Sequence, residues 1–143
     1  MLISNYPSVT AATAVVLAVL QMLLLLFAAN GRGRYRTGLG DGGNEKLLRR
    51  IRMHGNLAEN APMFLILLGL AEITGQWPTA IPLFALGFIL ARLSHALGLA
   101  ISSGPSPFRF VGVIGTVICD LGLAGLLASR LLHDTSWLPM KLF

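Results

Sequence analysis

The chain has 143 residues, of which 55% are apolar and 12% charged, against about a quarter charged in a soluble domain. Disorder is excluded, because it needs low hydrophobicity and high charge, and an ordinary soluble domain of this size is disfavoured. The apolar residues gather in four segments, each near the ~20 residues that cross a bilayer. Residues 1–143 therefore read as one small multi-pass membrane domain. Eleven Lys/Arg against six Asp/Glu give a net charge of +5. These basic residues cluster beside an apolar segment, as at a cytoplasmic membrane flank, so no nucleic-acid partner is expected. The single cysteine, Cys119, lies inside an apolar segment and permits no intrachain disulfide.

The first predicted helix covers residues 9–30 and has one polar residue in its apolar run, Gln21. The residues before it, MLISNYPS, carry no basic n-region, so it reads as a retained transmembrane helix and not a signal peptide. GRGRYRTGLGDGGN, residues 31–44, reads as a loop from its glycines and charges. Asn44 is placed to cap the second helix, residues 45–74, with Glu45 in its first turn. That helix begins amphipathic and becomes apolar after Ala58, and Pro62 is expected to kink it. A turn at TGQWP leads to a third helix over residues 79–101. SSGPSP then leads to a fourth over residues 108–133. Trp137, in the tail, is a residue type that favours the membrane interface. The predicted fold is an all-α bundle of four transmembrane helices.

Orientation follows from the basic residues. Arg32, Arg34, Arg36, Lys46, Arg49, Arg50 and Arg52 lie between the first two apolar segments, and none lies between the second and third. The positive-inside rule then puts the first loop in the cytoplasm and both termini outside.

Charged groups inside apolar helices are costly, and are usually paired or functional. At about 100° per residue, Arg52, Asn56 and Glu59 fall within roughly a 60° arc of the second helix. Arg92 and His95, three residues apart, share a face of the third. Arg109 begins the fourth. The topology puts all six in the cytoplasmic half of the membrane. Taken singly, several have structural readings. Glu59 and Arg92 can pair and join two helices, Asn56 can bond between helices, and Arg109 can anchor at the interface. Asp120 lies roughly 16 Å deeper than Arg109 along the fourth helix. Arg92 is expected to be buried in a structural ion pair, with Glu59 the first candidate partner and Asp120 the second.

Convergence of the six suggests a basic pocket with one carboxylate, suited to an anionic ligand with a cationic spot. Arg holds carboxylates through paired hydrogen bonds, Glu59 can receive an ammonium, and an Arg beside a thiol favours the nucleophilic thiolate. Glutathione, with two carboxylates, an ammonium and a thiol, has this pattern.

The run Arg52-Met-His-Gly-Asn56-Leu-Ala-Glu59-Asn-Ala-Pro62 resembles the second-helix signature of the MAPEG superfamily, membrane-associated proteins in eicosanoid and glutathione metabolism. Arg92-Leu-Ser-His95 is similar to the family's third-helix Arg-x-x-His, and Pro107-Phe-Arg109 to its Pro-x-Arg at the fourth helix. The layout agrees over nearly the whole chain, and the loop with the start of the second helix most resembles an uncharacterised bacterial branch. The resemblance implies a homotrimer in a bacterial inner membrane, with glutathione as co-substrate between neighbouring subunits, facing the cytoplasm. It implies that Arg52, Asn56, Glu59 and His95 bind the tripeptide and that Arg109 is the catalytic residue beside its sulfur. A first-helix Arg also contributes in the family, and its counterpart falls on Asn30 or Arg32. Departures occur at Gly55, Leu99, Phe110 and Val113, where eicosanoid-making members carry Arg, Tyr, Ser and Tyr.

The implied activity is a glutathione transferase or peroxidase acting on a lipophilic electrophile or hydroperoxide, without a metal. The alternative is a non-catalytic member that binds glutathione or a lipid. A transporter or channel subunit is disfavoured, because the polar set occupies one half of the membrane and the first helix offers only Gln21.

Overall fold

The structure, a computed structural model, describes residues 6–134. Trp137 lies outside the described residues. Four helices, each long and apolar enough to cross a membrane, make up the fold: α1 (Ser8–Arg34), α2 (Glu45–Ile73), α3 (Ala80–Ile101) and α4 (Pro107–His133). Their outer faces present Val15, Leu26, Leu70, Leu86 and Leu121, all more than half exposed. Such a surface suits lipid, where no hydrophobic gain comes from covering it.

The termini show why each helix starts and stops. The Asn44 side chain accepts from Leu47 N at 3.0 Å, which satisfies one of the free donors at the start of α2. Pro107 occupies the first turn of α4, where its missing N–H costs nothing. The expected end of the first helix near residue 30 is corrected: α1 continues through Gly31 and Gly33 to Arg34. Arg36 N donates to Gly33 O at 3.3 Å, and Thr37 N to Arg32 O at 3.0 Å, while Arg36 takes φ 51. This is a Schellman ending with an arginine at the left-handed position glycine usually holds. Gly31 remains helical because it is buried beneath Leu47 and Arg50 of α2. Helix α2 is continuous through Pro62, which cannot donate to the Ala58 carbonyl.

Helix α2 packs against all three others, so residues on its different faces meet different neighbours. Phe64 of α2 and Phe88 of α3 stack in parallel at 3.8 Å between ring centroids and are fully buried. Helices α3 and α4 pack tightly at Gly112, where a Cβ would lie 2.6 Å from His95 Cβ and 2.7 Å from the Ala91 carbonyl. Arginines near the start of α2 reach its neighbours. Arg49 donates to Ala100 O at 3.2 Å and Arg50 to Phe27 O at 3.4 Å, and the Arg50 guanidinium lies 4.0 Å over the Phe27 ring. The Ala100 carbonyl is one that the end of α3 leaves open, whereas Phe27 lies inside the last turns of α1.

At the opposite end, Glu72 closes the start of α1. One carboxylate oxygen accepts from Val9 N at 2.8 Å, and the other from Thr10 N and Thr10 Oγ1, each at 2.7 Å. Helix α1 has no cap of its own there, since Pro7 stands at that position. A carboxylate fits the positive end of a helix.

Candidate functional site

Helical periodicity places Arg52, Asn56 and Glu59 along one face of α2. Arg52 Nη1 lies 3.5 Å from Glu59 Oε1, and both side chains are about half exposed, at 52% and 56%. Asn56 sits between them in sequence and is half-buried.

Arg92, 4% exposed, is held at the junction of three helices. Its Nη1 donates to Asn56 Oδ1 of α2 at 2.7 Å. Its Nη2 donates to the Gly112 carbonyl of α4 at 3.0 Å and to Thr116 Oγ1. Thr116 Oγ1 in turn donates to Gly112 O at 2.8 Å. The guanidinium also lies 5.6 Å from the centroid of the Phe88 ring. Burial of Arg92 agrees with expectation, but both expected partners are corrected. Glu59 lies roughly 60° around α2 from Asn56, so when Asn56 faces Arg92, Glu59 turns outward and pairs with Arg52. Asp120 is four residues beyond Thr116, about 6 Å deeper along α4, and makes no ion pair with Arg92. The two charges act on each other only at longer range. Arg92 Nε and Asp120 Oδ1 are both buried without a hydrogen-bond partner among the described residues.

His95, 7% exposed, lies one turn from Arg92 on α3. The guanidinium groups of Arg52, Arg92 and Arg109 all act electrostatically on its ring. The structure thus gathers charges from α2, α3 and α4 around one histidine. His95 and Arg109 line a groove of about 490 Å³ with Ser103, Pro105, Phe110 and Val113. Arg109 Nη1 donates to the Ser103 and Gly104 carbonyls at 3.2 and 2.9 Å, which tethers the side chain to the α3–α4 loop. Phe110 and Val113 are 68% and 46% exposed and make the outer wall apolar.

Arg32 stands apart from this group. From the last turn of α1 it donates to Gly40 O at 2.8 Å in the loop that follows, and it lines a separate groove between α1 and α2 with Ile51 and His54. Thr116 and Gly112 are members of the polar cluster that the sequence reading did not single out. Their signal is a small residue and a hydroxyl one turn apart on α4, Thr116 lying roughly 13 Å from the start of the helix and level with Arg92.

Chemically, the arrangement offers an exposed cation–carboxylate pair, an amide, a buried imidazole and a tethered guanidinium at the mouth of an apolar-walled groove. It suits an anionic polar molecule meeting an apolar one.

Comparison with known proteins agrees with this architecture. The model of the MAPEG family matches residues 10–129. The chain is similar to the inner membrane protein YecN of Escherichia coli K12, with 32% identity over 90 residues that cover 63% of this chain and 69% of YecN. YecN of Escherichia coli O6:H1 matches with the same identity and coverage.

Proposed function

The chain belongs to the MAPEG family and is an integral multi-pass membrane protein, and on that footing we propose that it is a glutathione-dependent transferase or peroxidase acting on lipophilic substrates. The observation that carries the reading is the pairing of a polar face with an apolar-walled groove: Arg52, Asn56 and Glu59 on α2, with His95 and Arg109 beside Phe110 and Val113.

In this reading Arg52 holds a carboxylate of the tripeptide, Glu59 receives its ammonium, and His95 contacts it from α3. Their present ion pair at 3.5 Å keeps Arg52 and Glu59 in place until the ligand's own charges replace it. Arg109 faces the thiol. An opposite charge within ~4–6 Å lowers an acid's pKa by roughly 1–3 units, which turns the thiol into the thiolate nucleophile. The sulfur then forms a bond to the electrophilic carbon and the leaving group departs, or it attacks the terminal hydroperoxide oxygen. That attack forms a sulfenic acid of glutathione as the O–O bond breaks, and the alkoxide takes a proton to leave as the alcohol. A second glutathione thiol then displaces water from the sulfenic sulfur to give the disulfide. The lipophilic partner enters over Phe110 and Val113 from the bilayer. The site faces the cytoplasm of a bacterial inner membrane, following the basic first loop. The active form is a homotrimer, and Arg32, remote from the other residues within one protomer, is supplied by a neighbour.

A second reading, a non-catalytic protein that binds glutathione or a lipid, is favoured by Phe110 and Val113 themselves, which offer no hydroxyl to the sulfur. Thiolate absorbance separates the two. Glutathione added to the purified protein should produce the thiolate band, and Arg109→Leu should shrink it while binding is largely kept. Arg52→Leu or Glu59→Gln should weaken binding. A parent protein with binding but no thiolate band supports the second reading. Neither binding nor a band at millimolar glutathione removes the enzyme reading.

A further inference from the structure

We infer that Arg92 is a positioning residue that fixes the amide of Asn56, so that Asn56 presents its NH2 group, as a donor, to an oxygen of glutathione. The inference rests on the proposed glutathione site and adds to it the polarity of one contact and the residue that sets it.

A guanidinium has donors only, so the Asn56 atom that receives Arg92 Nη1 at 2.7 Å must be the oxygen. An asparagine amide is otherwise free to present either end. Here Arg92 cannot turn away easily, because Nη2 is held by Gly112 O and Thr116 Oγ1 in the tight α3–α4 contact. The pinned oxygen leaves Asn56 Nδ2 facing elsewhere. Among the described residues Nδ2 makes no hydrogen bond, and it is not among the buried unpartnered atoms. It therefore stands as an available donor beside the Arg52–Glu59 pair. The backbone carbonyl of Asn56 is turned to a different use, accepting from Asn60 Nδ2 at 2.7 Å.

A ligand on this face therefore meets a donor at Asn56. The ammonium of glutathione cannot bind there, and is left to Glu59. A carboxylate oxygen or a peptide carbonyl can. Arg92 itself, at 4% exposure and behind Asn56, acts through the amide without touching the ligand.

The test is Asn56→Asp, with Asn56→Ala beside it, read by calorimetric titration of glutathione into the purified protein. Aspartate keeps the acceptor that Arg92 needs and replaces the outward donor by a second acceptor. Asn56→Asp should melt no lower than the parent, yet bind glutathione about tenfold more weakly or worse, and more weakly than Asn56→Ala. Arg92→Leu should weaken binding in the parent and add nothing in the Asn56→Ala background, which a purely structural role would not produce. If Arg92→Leu does not fold, the two Asn56 variants decide alone. Asn56→Asp binding as tightly as the parent overturns the inference and leaves the glutathione reading standing. Asn56→Asp melting well below the parent overturns the Arg92 contact. A parent that binds no glutathione removes both.

Discussion

Replacing Glu72 tests whether α1 depends on α2 for its N-terminal cap. The carboxylate accepts three hydrogen bonds, from Val9 N, Thr10 N and Thr10 Oγ1 at 2.7–2.8 Å, and Pro7 offers no side-chain substitute. Loss of a capping acceptor costs roughly 0.5–2 kcal/mol, and loss of a negative charge at a helix start a further ~0.3–1 kcal/mol. Glu72→Ala forfeits both, and should destabilise the folded protein by about 1–3 kcal/mol. Glu72→Gln loses the charge and replaces one of the two accepting oxygens by an NH2 group, which cannot accept from the N–H it faces, so its cost should lie close to that of Ala. Thr10→Val removes only the hydroxyl contact and should fall between Gln and the parent. Denaturant unfolding in a fixed detergent reads all three. The charge component should shrink when salt is raised from low to high, because the group is half-buried and screening reaches it. Glu72→Ala unfolding together with the parent would refute the capping role, and so would Gln unfolding with the parent.

Three further outcomes follow from the packing. Arg36 holds φ 51, a left-handed conformation that costs a side-chain-bearing residue ~1–2 kcal/mol. After the larger entropy that glycine loses on folding, roughly 0.5–1 kcal/mol, Arg36→Gly should stabilise slightly, by about 0.5–1 kcal/mol in the same unfolding assay. Gly112→Ala drives a methyl to 2.6 Å from His95 Cβ and 2.7 Å from Ala91 O, one of them backbone, so α3 and α4 must part; a loss of about 1–3 kcal/mol is expected, and an unchanged melting temperature would contradict the close contact. Arg92→Leu removes hydrogen bonds to Asn56, Gly112 and Thr116. At roughly 0.6 kcal/mol for an average interhelical bond in a bilayer, it should cost about 2 kcal/mol, and melting like the parent would show that the junction carries no structural weight.

What the sequence made legible is what a single helix determines. Apolar runs of bilayer length marked the four helices, Asn44 marked the start of α2, and the period of an α-helix put Arg52, Asn56 and Glu59 on one face. Missed features needed two elements at once. The partner of Arg92 depends on how α2 is rotated against α3 and on the level at which α4 crosses, and a difference of one turn decides between Thr116 and Asp120. The cap at Glu72 joins residues 62 and 63 positions apart in sequence. At the end of α1 the glycines suggested a loop, but burial of Gly31 under α2 made the absence of a side chain an asset there and extended the helix.

The length of α2 ties these features to the proposed chemistry. Its 29 residues span about 43 Å, more than the ~30 Å hydrocarbon core of a bilayer. The apolar stretch lies beyond Ala58, so the excess falls on the basic first turns, and the Arg52–Glu59 pair stands at the boundary between water and lipid. Arg109 stands at a matching level, in the first turn of α4, with the exposed apolar Phe110 and Val113 beside it. Half-exposed charges at that level need a polar neighbour that hydrocarbon cannot supply. In the proposed reading, a water-soluble tripeptide would satisfy them from one side while an apolar partner arrived from the other. The proposed reaction between two substrates that do not share a solvent would require such a boundary, which α2 crosses and near which α4 begins.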